Sequence, residues 1–264
     1  MNRILGMIGA SFLERLEHLG GVALLTIASL RRLFRPPFET GAVIYELERI
    51  GWQSTGVVAL LGLFTGMVLV VQTGFTLKRF GAEAYVSEMV ALAMVRELGP
   101  VLAGFLVAGR IGSGIAAELG GMAVSEQIDA MRSLGADPIK KLVVPKGVAA
   151  FVAMPLLTAM ADLIGVVGGM VMATLTLNIP PHHYINRISN MVTIGDFASG
   201  VAKTAVFGAI IAMVSCYYGL KTTGGTVGVG RSATQSVVLS CVLILVADLV
   251  LTSAFFAIGG ILQS

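Results

Sequence analysis

Long apolar stretches alternate with short polar ones over most of the chain. Residues 50–77 include no charged side chain, and about 20 consecutive apolar residues suffice for a helix to cross a bilayer. A membrane β-barrel would instead show strands of about ten residues with alternating apolar and polar positions. The pattern therefore predicts an all-α integral membrane protein with five spans, at about residues 53–77, 87–117, 147–177, 197–220 and 236–262.

The first 50 residues carry many charges and follow a different pattern. Their apolar residues recur at spacings of three and four, which is typical of one helical face: Leu5, Ile8, Phe12, Leu16, Leu19, Ala23, Ile27, Leu30 and Phe34. A secretory signal would need an apolar core without charges. We expect an amphipathic helix that lies in the membrane interface and ends at Pro36-Pro37. Residues 1–50 then form this helix and a connector, and residues 51–264 form one membrane domain.

The composition excludes a soluble domain, since 12% of the residues are charged against about 25% in soluble domains. The spacings Gly62-x-x-x-Gly66 and Gly165-x-x-x-Gly169 favour close helix packing in the membrane. Of the Lys and Arg residues between the predicted spans, twelve fall on the N-terminal side of the membrane and three on the other. The positive-inside rule then predicts a cytoplasmic N-terminus and a C-terminus outside.

The largest predicted inner segment contains a short amphipathic helix. Ser125 is a plausible N-cap, Gly135 a plausible end, and the helix is expected at about residues 125–136. Its two faces differ: Ile128, Met131 and Leu134 lie on one, and Glu126, Asp129 and Arg132 on the other. Such a helix either covers the membrane surface or docks a soluble subunit.

The sequence offers no catalytic chemistry. It contains no G-x-x-x-x-G-K-[ST] motif for nucleotide phosphates, and the adjacent His182 and His183 would point in different directions on a regular element. We therefore expect neither a cofactor nor a metal. Nucleic acid is not an expected partner either, because no basic run with interleaved aromatic residues occurs.

Several charged residues lie well inside the predicted spans, where a charge is costly and indicates function by default: Arg96, Glu97, Arg110, Asp162, Lys203 and Asp248. Arg96 and Glu97 form either a packing ion pair or a polar patch beside a cavity. Because consecutive α-helical residues lie about 100° apart, we expect only one of the two to face that cavity. Asp162 and Asp248 are expected to pair with Arg110, Lys203 or the backbone, and Arg110 to have a structural role.

Three segments carry a resemblance to a known family: residues 126–145, the Gly-rich loop before Arg231, and above all MVRELGPVLAGFLVAGRIGSGIAAELGGM at residues 94–122. They resemble the MlaE/YrbE family, the permease subunits of MCE-type ABC lipid transporters. The resemblance implies a homodimer whose subunits each have an N-terminal interfacial helix and five spans. It also implies a bacterial inner-membrane location, a separate cytoplasmic ATPase, a small STAS-domain protein on that ATPase, and a periplasmic MCE protein.

The same resemblance implies transport of phospholipids between the inner membrane and the MCE protein, which maintains the lipid asymmetry of the outer membrane. The matching lipid-pocket positions are Leu69, Gln72, Thr76, Phe80, Arg96, Glu97 and Leu98. The matching ATPase-coupling positions are Glu126, Ile128, Asp129, Met131, Arg132 and Leu134. Two alternatives stay open: an ion-coupled carrier or channel that uses Glu97, Asp162 and Asp248, and a structural membrane anchor for a cytoplasmic partner.

Overall fold

The computed structural model describes residues 2–36 and 39–262, except for the side chains of residues 2–12, 14, 15 and 258–262. Every regular element in these ranges is a helix. The helices are α1 (Asn2–Leu33), α2 (Thr40–Lys78), α3 (Glu83–Val124), α4 (Gln127–Ser133), α5 (Ile139–Leu177), α6 (Pro181–Met191), α7 (Ile194–Leu220) and α8 (Gly225–Leu262).

Five of these helices are long and apolar enough to cross a membrane, namely α2, α3, α5, α7 and α8. The predicted all-α class and the five spans are therefore confirmed. The helices extend beyond the apolar runs, because their backbone hydrogen bonds do not depend on the side chains. Several charged side chains in these extensions find partners of their own. Glu118 and Lys146, predicted to lie in a polar segment, belong to α3 and α5 and pair with each other. The Gly-rich loop shrinks to the turn before Gly225, so Arg231 lies on α8.

The closest helix crossing joins α2 and α5. A side-chain carbon added at Gly62 or Gly66 would overlap the backbone of Ala161 or Gly165, respectively. The two small-residue spacings noted in the sequence therefore face each other. From this crossing, α5 packs along α7 and α7 along α8, while α3 contacts α7 and α8 most extensively along its C-terminal part.

Helix α1 lies across α5 and α7. It packs through Val22 and Ser29, both buried. The described part of the predicted apolar stripe is largely exposed, at Leu16, Leu19, Ile27, Leu30 and Phe34. The side chains of Leu5, Ile8 and Phe12, and all of Pro37, lie outside the described residues.

The short helix α4 follows α3 directly. Ser125 does not cap it: the Ser125 hydroxyl donates to the Gly121 carbonyl of α3 at 2.8 Å. Glu126 holds the N-cap position with a left-handed φ of 59°. Gly135, with φ 75°, lies just beyond the end of α4, as predicted, since this backbone conformation favours glycine.

Candidate functional site

A cavity of about 560 Å³ lies between the middle of α3, the start of α7 and the end of α8. Charged and aromatic side chains line it together. The lining residues are Arg96, Glu97, Thr193, Gly195, Asp196, Ser199, Lys203, Thr252, Phe255 and Phe256. The chain thus places cations, carboxylates and phenyl rings around one space within apolar helices.

Arg96 and Glu97 lie in a π-helical turn, Met94–Leu98, and both line the cavity. The expectation that only one of them would face it is wrong, because it assumed a regular α-helix. A π turn contains an extra residue and rotates the side chains that follow. Such turns occur frequently at functional sites.

Arg96 binds the start of α7. Its Nη2 lies 2.6 Å from Asp196 Oδ1, and its guanidinium lies 5.7 Å from the centre of the Phe256 ring. Asp196 also accepts hydrogen bonds from the backbone N–H and the hydroxyl of Thr193, which forms a capping box at the first turn of α7. The sequence analysis missed Asp196, although the T-x-x-D signature of residues 193–196 marks a helix start.

Glu97 belongs to a second charged group, centred on Lys203. Lys203 is 3% exposed at its side chain, and its Nζ lies 2.9 Å from Asp248 Oδ1 and 3.3 Å from Glu97 Oε1. The Thr252 hydroxyl donates to Glu97 at 3.0 Å. The expected pairing of Asp248 with Lys203 is present. This group joins α3, α7 and α8 beside the cavity.

The predicted lipid-pocket residues of α2 lie elsewhere. Gln72 and Thr76 on α2, and Phe80 in the turn after it, are exposed and do not line the cavity. Leu69 and Leu98 are partly buried and pack against a cluster that includes Val70, Val86, Val90 and Met94. Within one chain, the structure therefore brings together Arg96 and Glu97 but not the α2 positions.

Comparison with known proteins identifies the family of the chain. The family profile described as Permease MlaE matches residues 43–254. A probable ABC transporter permease of Rickettsia felis is 39% identical over 97% of this chain and 98% of its own length. The chain belongs to the MlaE permease family. It is therefore similar to the membrane subunits of ABC transporters, which work with an ATPase.

Two further relatives of this MlaE family member come from photosynthetic organisms. The chloroplastic protein TRIGALACTOSYLDIACYLGLYCEROL 1 of Arabidopsis thaliana is 42% identical over 82% of this chain and 62% of its own length. A probable ABC transporter permease of Synechocystis is 36% identical over 80% of both chains. The family and the five apolar helices establish a multi-pass membrane permease.

One intramembrane carboxylate of this permease, Asp162, does not pair as expected. Asp162 is 1% exposed, and neither carboxylate oxygen has a hydrogen-bond partner among the described residues. Its carboxylate occupies the space left by the missing side chain of Gly99. Arg110 pairs with neither aspartate: its guanidinium donates to the Gln53 carbonyl of α2.

Another charged cluster, centred on Lys146, joins α2, α3 and α5 at the end of the permease that carries α4. Lys146 is 2% exposed and pairs with Glu46 and with Glu118, the latter at 3.0 Å. Arg49 pairs with Glu118 and lies 3.7 Å from Glu46. Four charges from three helices thus neutralise one another beside the start of α4.

The six predicted ATPase-coupling residues lie at or beside α4. Ile128 is buried and Met131 half-buried, whereas Leu134, on the same predicted face, is 86% exposed. Glu126, Asp129 and Arg132 are exposed, and Arg132 donates to Asp129 at 2.8 Å. Helix α4 is therefore anchored by one apolar residue and leaves its charges and Leu134 open to a partner.

Proposed function

We propose that the chain is the permease of an ABC transporter that moves phospholipids between the bacterial inner membrane and a periplasmic MCE protein. The cavity of Arg96 and Glu97 is the observation that carries this proposal. It combines charges of both signs with Phe255 and Phe256, and a phospholipid combines a charged headgroup with apolar chains. The Arabidopsis relative is named after a galactolipid, which adds support. The outcome for the cell is an outer membrane with asymmetric leaflets.

The assembly that this function requires has several parts. Two copies of the chain form the membrane core, with the N-terminus in the cytoplasm and the C-terminus in the periplasm. The ATPase, with a STAS-domain protein bound to it, docks on α4, and the MCE protein sits at the opposite end. Helix α3 runs without a break from Glu97 to Val124, and α4 begins three residues later. One continuous helix therefore leads from the cavity to the start of the docking surface.

The direct test is reconstitution of the complex in vesicles, followed by mass spectrometry of the lipid that reaches the MCE protein. We expect ATP-dependent appearance of phospholipid on that protein. Co-purification of a partner without ATPase activity would favour the structural anchor instead. Movement of lipid that follows a proton gradient and ignores ATP would contradict the proposal.

Replacing Glu97 with alanine should slow lipid transfer about tenfold, since one hydrogen bond to a charged group contributes about 1.5–3 kcal/mol. The fold should persist, because Lys203 keeps its ion pair with Asp248 at 2.9 Å. Glu97→Gln should be milder because an amide oxygen still accepts from Thr252. The measurement is the initial transfer rate in reconstituted vesicles, together with the yield of assembled complex.

Arg96→Ala is the matched comparison for Glu97→Ala. It should also slow transfer, while Asp196 retains its hydrogen bonds from Thr193. Complexes of Glu97→Ala that assemble normally and transfer lipid at the wild-type rate would show that the cavity is not on the lipid path.

Reversing two charges on α4, with Glu126→Lys and Asp129→Lys together, should weaken ATPase binding at least tenfold, because like charges facing each other across an interface cost several kcal/mol. The measurement is the amount of ATPase that co-purifies with a tagged permease. Glu83→Lys, the same reversal at the far end of α3, serves as the control and should bind normally. Equal ATPase recovery from both variants would exclude α4 as the docking site.

An ion-coupled carrier is the second candidate, and Asp162 is the observation that favours it. A buried carboxylate without a partner is costly inside a membrane, and proton or cation binding would relieve that cost. Asp162→Asn removes the charge and keeps the shape. Unchanged transport by this variant argues for the ABC mechanism, and a loss of transport together with dependence on an ion gradient argues for the carrier.

A further inference from the structure

Two adjoining cavities lie where α1 crosses α5, at the opposite end of the molecule from the Arg96 cavity. One has a volume of about 400 Å³ and opens between the end of α1 and the starts of α2 and α5. The other, of about 340 Å³, lies under α1 against α5 and α7. Leu33, Val144 and Val148 line both, so the two cavities share a wall and form one continuous depression.

The first cavity has a basic rim. Arg32, Arg35 and Lys140 line it together with a single carboxylate, Glu39. Lys140 Nζ donates to the Pro36 carbonyl at 3.0 Å, which holds its ammonium beside Arg35. Arg35 is exposed and forms no ion pair with any described residue. The rim therefore presents a cation whose charge the protein itself does not compensate.

Arg32 is held in place by Asp137, with which it forms an ion pair. Partial burial opposes ionisation of the Asp137 carboxyl, but the hydrogen bond and the charge of Arg32, aided by the Ile139 backbone N–H, lower its pKa below the usual value. Asp137 thus stays ionised at neutral pH and neutralises the charge of Arg32 in their ion pair. Arg35 and Lys140 remain as the cations for an external anion.

The second cavity is apolar except for two hydroxyl groups. Leu30, Phe151 and Met213 contribute to its wall. Ser29 also lines it, with 6% of the residue exposed, and its Oγ has no hydrogen-bond partner among the described residues. A buried hydroxyl without a partner costs about 1–3 kcal/mol, so this site favours a ligand that carries an acceptor into an apolar space.

The spacing of the two cavities matches a lipid at a membrane boundary. Two spans, α2 and α5, begin at Thr40 and Ile139 beside the basic rim. From Lys140 to Phe151 the chain rises eleven helical residues, about 16 Å at 1.5 Å per residue. Half of the hydrocarbon core is about 15 Å thick, so that distance reaches from a headgroup level deep into the acyl chains of one leaflet.

We propose that an anionic phospholipid of the membrane leaflet binds in this depression, with its phosphate on Arg35 and Lys140 and an acyl chain under α1. The ester carbonyl between them accepts from the Ser29 hydroxyl. Basic pockets between membrane helices bind anionic headgroups in this way. The bound lipid fills the gap between α1 and the membrane helices, and the inference stands independently of lipid transport through the Arg96 cavity.

The test is native mass spectrometry of the full chain, purified in detergent and titrated with phosphatidylglycerol. Arg35→Glu should weaken binding about tenfold. Arg31→Glu is the matched control: Arg31 lies four residues before Arg35, is exposed on the last turn of α1, and lines neither cavity. Both variants leave the Arg96 cavity intact, so the difference between them reports this site alone.

Three results would overturn the proposal: equal weakening by Arg31→Glu and Arg35→Glu, equal binding of neutral phosphatidylcholine, and equal stabilisation by inorganic phosphate, which would indicate a free-anion site.

A second variant tests the apolar half. Ser29→Ala should leave the Tm of the delipidated protein unchanged and reduce the rise in Tm that phosphatidylglycerol causes. An equal rise in Ser29→Ala and the wild type would show that no lipid reaches beneath α1.

Discussion

Lys146→Met is expected to lower the free energy of unfolding by about 3–5 kcal/mol, the cost of removing one partner from a buried ion pair. Lys146 is 2% exposed and is the cation that pairs with both Glu46 and Glu118. Glu118 keeps its ion pair with Arg49 in the variant, whereas buried Glu46 keeps only the 3.7 Å contact to Arg49. The measurement is thermal unfolding of the full chain in detergent.

The double variant Glu46→Leu with Lys146→Met should recover most of the lost stability. Apolar residues of similar volume often replace a buried ion pair without loss, and Arg49 and Glu118 still neutralise each other. Lys141→Met, an exposed lysine in the same first turns of α5, should change stability by less than about 0.5 kcal/mol. A single Lys146 variant as stable as the wild type would mean that water reaches the cluster and solvates the unpaired carboxylate.

Gly66→Ala should destabilise the protein by about 1–3 kcal/mol or more, the cost of overpacking. The added methyl group would overlap the carbonyl oxygen of Gly165 on α5. Because that atom is backbone, the two helices must separate, and the neighbouring contact of Gly62 with Ala161 would loosen as well. The measurement is again thermal unfolding, with the yield of folded protein as a second readout.

Gly56→Ala is the matched control on the same helix. A side-chain carbon at Gly56 has no heavy atom within 4 Å, and alanine is the better helix former by about 1 kcal/mol. We expect this control to be neutral or slightly stabilising. Equal losses in both variants would mean that the α2–α5 crossing is not a close backbone contact.

The sequence alone determined the class, the number of spans and the close-packing positions of this protein. These properties are local: a run of apolar residues long enough for a bilayer predicts a span whatever its neighbours are, and glycines four residues apart share one face of their own helix. The expectation that Asp248 pairs with Arg110, Lys203 or the backbone also followed from chemistry, because a membrane span offers few opposite charges, and the structure shows Lys203 as the partner.

The tertiary structure decided which distant side chains meet. Asp196 lies beside Arg96 from one hundred residues away, and Lys146 closes a cluster whose members the sequence pattern assigned to polar connections. These pairings depend on the order and rotation of packed helices, which hydropathy does not encode. A π turn at Met94–Leu98 turns both Arg96 and Glu97 to the cavity, and Asp162 lies against Gly99 without a partner. Both follow from helix packing, which determines the final rotation of each side chain.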